Sequence, residues 1–173
     1  MDIRTELLAE HSREQAEKIA KWIGNKPDRF ATFIHLFLHD EYRVVQRAAW
    51  VLSVVAEKHY ELAKPWLPQM IAKMQEPGVH AAVKRNVVRI LQFLEIPEEL
   101  QGDVMNVCFD MLADPKETIA VRAFSMTVLT NLSKYYPDIK HELIAIIEDQ
   151  LEQGASPGFI ARSKKLLKEL RTK

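Results

Sequence analysis

One stretch constrains this chain more than any other, because the sequence on either side keeps repeating it. Val83, Val87, Ile90, Leu91 and Leu94 fall on a single stripe of a helix with a period of 3.6 residues. Stepping back by 38 gives Val45, Ala49, Leu52 and Ser53, and stepping forward by 38 gives Val121, Ser125, Val128 and Leu129. A looser copy begins near Ile160 and closes with Leu167 and Leu170. Self-similarity at such a spacing implies stacked two-helix units, none of which can bury its apolar face alone.

The punctuation keeps the same spacing. Lys26-Pro27 and Lys64-Pro65 are one period apart, and so are Phe33, Ile71, Phe109 and Ile147. Every proline except Pro68 falls at an expected helix boundary, and Pro68 sits in a first turn, where proline is tolerated. Taken in order, the apolar stripes and breaks predict helices over 2–23, 28–39, 42–59, 65–75, 79–94, 98–113, 117–135, 138–153 and 159–170. No alternating apolar run enriched in β-branched residues predicts a strand.

These paired helices, with a tight Asp, Pro or Gly turn inside each pair, resemble the HEAT repeats of the armadillo-like superhelix. The second helix of a pair carries the likeness. Val121-Arg122 matches the family's Val-Arg outright, and Val83-Lys84 does so conservatively. Val45-Gln46 and Ile160-Ala161 keep only the apolar position, and the period is slightly shorter than the family's usual 40–47 residues. The resemblance covers about residues 28–171. It implies an all-α, right-handed α-α superhelix of about four helix pairs behind an N-terminal capping helix at 1–25. The pairs would occupy 26–60, 64–96, 98–136 and 138–171 of a single domain spanning 1–173.

Chemistry is sparse. No glycine-rich run is present, so no phosphate loop is expected. Cys108, the lone cysteine, cannot form an intramolecular disulfide and reads as a small core residue. His35 and His39 share the i, i+4 face that can hold a metal, but no third ligand lies nearby, so no metal and no cofactor are expected. Asp40 and Asp114 occupy equivalent turns and read as helix caps. Met1 to Glu10 lacks the basic start and apolar core of a signal peptide, and no apolar run approaches the ~20 residues that span a bilayer. The expectation is a cytoplasmic protein without membrane contact.

Some HEAT-like proteins are DNA glycosylases that use acidic and aromatic residues on the concave face, which the second helices line. Here the bodies of those helices contain no Asp or Glu, so an enzyme of that type would lack its carboxylate. A non-catalytic protein is expected. Although 24 Lys and Arg balance 24 Asp and Glu overall, the charges segregate. Arg43, Arg47, Lys84, Arg85, Arg89, Arg122 and Lys134 lie on second helices, with six further bases from Ile160 to the end, while Glu98, Glu99, Asp103, Asp110 and Asp114 belong to a first helix.

Helical angles place Arg85 and Gln92 opposite the buried stripe, with Arg89 beside them and Arg47 one period earlier. The expected site is therefore Arg43, Arg47, Arg85 and Arg89 on the concave surface, with Trp50 on its flank. Such a layer suits an acidic protein segment, which makes the chain a protein-binding or scaffold module. The alternative is a non-catalytic nucleic-acid binder using the same layer for phosphates. The plain competitor to both is a solvated face whose arginine stems cover apolar surface.

Overall fold

A computed structural model describes residues 1–172, and among them every regular element is helical. The chain divides into two compact units, Met1–Ile90 and Leu91–Lys173.

In the first unit the N-terminal segment is two helices rather than one, α1 (Ile3–Ala9) and α2 (Arg13–Ile23). The break has a local cause. Ser12 is extended and its hydroxyl accepts from the Gln15 N–H at 3.1 Å, so it caps a new helix where the apolar stripe alone predicted a continuous one. Gly24 ends α2 at φ 55°, a conformation in which a side chain would be strained. Then follow α3 (Pro27–His39) and α4 (Tyr42–Lys58), within a residue of their expected limits.

α4 packs against α1, α2 and α3, so it is covered on several sides and not on one stripe. That explains why Val44, Val45, Ala48, Ala49, Val51 and Leu52 are all buried. A short helix, α5 (Tyr60–Ala63), and a 3-10 turn at Lys64–Trp66 lead into α6 (Leu67–Met74), which packs on α3. The next helix, α7 (Ala81–Leu91), is linked to α4 by side chains near both ends. At one end the ring of Tyr42 meets that of His80 at 5.2 Å, and at the other Arg89 pairs with Glu57 at 2.6 Å. Tyr42 and His80 are one period apart, so equivalent points of successive repeats touch.

The second unit repeats the plan. It contains α8 (Glu98–Ala113), α9 (Ile119–Leu132), α10 (Lys140–Glu152) and α11 (Pro157–Leu170). α9 packs against α8, α10 and α11, and Val121, Met126, Val128 and Leu129 are fully buried. Bonds between residues about one period apart tie the repeats together. Gln150 Nε2 donates to the Leu112 carbonyl, Asn131 Nδ2 to that of Gln92 at 2.9 Å, and the Ser163 hydroxyl to Met126 Sδ at 3.6 Å. Buried hydroxyls are otherwise answered within their own helix, as Ser125 is by the Val121 carbonyl at 2.7 Å and Thr130 by that of Met126 at 2.8 Å.

Candidate functional site

The five residues expected to form the site all lie on α4 and α7, but the fold treats them differently. Arg43 and Arg85 are exposed and make no hydrogen bond or ion pair to any described residue. Arg47 is half-buried, and its Nη1 donates to the Leu7 carbonyl at 2.8 Å. That carbonyl belongs to the last turn of α1, where helix carbonyls lack partners and a cation is favoured. Trp50, also half-buried, meets the His11 ring edge-on at 5.4 Å. Leu7, His11, Arg47 and Trp50 share the lining of a crevice of about 10 Å³, room for one water at most. Arg89 is held by Glu57. The parallel Arg47–Arg85 fork suggested by their spacing is therefore not formed, and the free pair is Arg43 with Arg85.

Acids in this half are held by hydrogen bonds. Arg4 donates to Asp40 at 3.0 Å and keeps its carboxyl below the ordinary 3.8, with help from the Glu41 N–H. Lys18 and Gln15 likewise hold Glu6 below 4.5. Asp40 and Asp114 stand at the C-terminal ends of α3 and α8 and do not N-cap the helices that follow, which begin behind Glu41 and Thr118; the Asp114 Oδ1 accepts the Lys116 N–H at 2.9 Å, whereas Asp40 is held by the distant Arg4.

Gln92 corrects the face assignment. α7 stops at Leu91, and Gln92 is half-buried, with its Oε1 accepting from Arg162 at 2.9 Å. Arg162 also donates to the Thr127 hydroxyl at 3.3 Å and the Ala123 carbonyl at 3.4 Å, and it lies 5.3 Å over the Phe124 ring. A second arginine crosses the same helix pair in the opposite sense, Arg122 of α9 lying 5.6 Å over Phe159 of α11. Periodicity revealed neither crossing. The only hint was that Phe124 and Arg162 are one period apart.

Cys108 is fully buried, and burial pushes its thiol up to about 12, against a hydrogen bond with Ser125 that pulls the other way. It lacks the thiolate character of a nucleophile. His35 and His39 bring their rings within 4.6 Å on an exposed face. Among the described residues no group of three or more His, Cys, Asp or Glu could hold a metal ion. No helix described is long and apolar enough to cross a membrane.

Stacked antiparallel helix pairs, joined by bonds one period long, define an all-α helical-repeat protein. Residues 3–170 match the HEAT repeat domain, and the chain belongs to that family. HEAT repeat domains are in general protein-interaction or scaffold modules rather than catalysts. Neither a curated protein nor a solved structure matches the chain.

Proposed function

We propose that this chain is a non-catalytic interaction module that takes an acidic protein segment along α4 and α7. Arg43 and Arg85 make the primary contacts, and Arg47, Trp50 and Arg89 form the wall behind them. One observation carries the reading: two exposed arginines stand on helices linked through Tyr42–His80 and Glu57–Arg89, and neither is in an ion pair with a described residue. A guanidinium fork suits a carboxylate in bidentate fashion, and helices packed about 8–10 Å apart set two forks at a spacing that an extended acidic chain can bridge. Tyr42, 60% exposed and next to Arg43, adds an amphipathic ring of the kind enriched in binding hot spots.

Fluorescence anisotropy with a labelled Glu-rich peptide tests this on the intact chain. Binding is expected at low salt and should weaken as salt rises, because exposed charges are screened. Duplex DNA and RNA of similar length serve as competitors. If either displaces the peptide at equal charge concentration, the partner is a polyanion in general and the protein-segment reading fails.

A further inference from the structure

The second unit holds a cavity of about 260 Å³, lined chiefly by Ile119, Arg122, Gln150, Ala155, Ser156 and Phe159. Its lining contains one cation and no acid. Arg122 makes no hydrogen bond or ion pair to any described residue, and its Nε is buried without a partner. Gln150 is oriented by its bond to the Leu112 carbonyl, which leaves its Oε1 buried and also unpartnered. These are the two buried side-chain polar atoms left unsatisfied among the described residues, and both belong to this one cavity. Unmet buried polar groups cost stability, and their coincidence at a cavity calls for a physical explanation.

We propose that this cavity is a binding site for a carboxylate carried by a small, N-acylated apolar group. The reasoning follows the lining. Arg122 offers a planar fork, the geometry that pairs with a carboxylate. Ser156 caps α11 by accepting from the Phe159 N–H at 3.3 Å, so the positive end of that helix also faces the rim. Gln150 contributes an acceptor, which an amide N–H beside the carboxylate satisfies and the extra oxygens of a phosphate do not. Ile119, Ala155 and Phe159 supply an apolar wall, and Ile119 is 49% exposed although no packing against solvent favours it. The volume lies just under the roughly 300–1,000 Å³ of pockets for drug-sized ligands, which fits a single acylated residue. Free N-acyl amino acids and the C-terminal residue of a peptide share this chemistry.

The test is an amide-resolved NMR titration of the intact chain with N-acetyl-L-leucine. Saturable shifts at Ile119, Gly154 and Phe159 are expected, with a dissociation constant of roughly 1 mM, as befits so small a ligand. N-acetyl-L-leucinamide, which lacks the carboxylate, should bind at least about tenfold more weakly, as should N-acetyl-L-leucine to the Arg122→Gln variant. Acetyl-Ala-Ala-Leu separates the two sources. Tighter binding than N-acetyl-leucine assigns the site to a chain terminus, and weaker binding assigns it to a free small molecule. Absence of saturable shifts at those residues, or equal affinity for acid and amide, overturns the proposal. The acid–amide comparison uses the unaltered protein, so it decides the matter even if Arg122→Gln does not fold.

Discussion

The two halves of the chain leave arginines unpartnered in opposite surroundings. In residues 1–90 the arginines without a described partner, Arg43 and Arg85, stand on the surface, while Arg4, Arg47 and Arg89 are closed on an acid or a carbonyl. In residues 91–172 the arginine without a described hydrogen-bond or ion-pair partner is half-buried: Arg122 lines a cavity against Phe159, one crossing away from Arg162, whose Nη1 is bonded to Gln92, Thr127 and Ala123. Water solvates an exposed guanidinium at little cost, so a surface arginine can wait for a partner without weakening the fold. A half-buried one with a buried Nε gains more from a partner, because its alternative is poor hydration. The same residue type at similar places in the repeat thus serves a broad, salt-sensitive surface or a narrow site, according to what surrounds it.

The comparison assumes that the halves differ in their cations and not in their cores. Ile90→Ala and Leu129→Ala, both at fully buried positions, should each cost about 2–5 kcal/mol in denaturant melts. A loss confined to one of them would place the difference in the packing instead. Next in size is the contrast between the two crossings. Arg162→Ala removes the bonds to the Gln92 Oε1 at 2.9 Å, the Thr127 hydroxyl and the Ala123 carbonyl, and should cost about 1–3 kcal/mol. Arg122→Ala gives up its stacking on Phe159 but no hydrogen bond, so it should cost less, about 0.5–1 kcal/mol. Equal losses in urea would mean that Arg122 is as structural as Arg162, and the contrast would collapse.

The smallest effect is one of pH and belongs to the first half. Glu6 and Asp40 have folded values below their ordinary 4.5 and 3.8, held there chiefly by Lys18 and Arg4. A carboxyl depressed in the folded state contributes stability above its ordinary value and loses it as pH falls through the folded one. Asp40→Asn should therefore melt slightly below the parent at pH 7, with the gap closing below about pH 3.8. A gap that persists at low pH would make Asp40 a matter of shape rather than charge.

Much of the fold was legible because its cause is periodic. A 38-residue repeat of apolar stripes locates the helix pairs, and Pro27, Pro97 and Gly24 mark their ends without tertiary help. What escaped was set by single side chains. Ser12 splits the first helix through one hydroxyl bond, and an apolar stripe running through it cannot register that. Gln92 was assigned to an exposed face by helical angle, but the helix ends one residue earlier and Arg162 claims it. Of the expected site, the helix was readable for all five residues and the charge for the four arginines. Partners were not, because Leu7 lies 40 positions from Arg47, and no spacing rule connects an arginine to a backbone carbonyl at that distance.

The acidic-segment reading has its most direct test in one anisotropy experiment. A labelled Glu-rich peptide is titrated at low salt with the parent chain, with Arg43→Ala/Arg85→Ala, and with Arg47→Ala. The two surface arginines are free and exposed, so the double variant should keep the parent's helical melt and lose peptide affinity by at least about tenfold. Arg47→Ala removes the bond to the Leu7 carbonyl, so it should lower the melt, and, as part of the wall behind the contacts, it should weaken peptide binding less than the double variant does. A double variant that folds and binds the peptide as the parent does would contradict the account, because the free arginines of α4 and α7 would then not be where the partner sits.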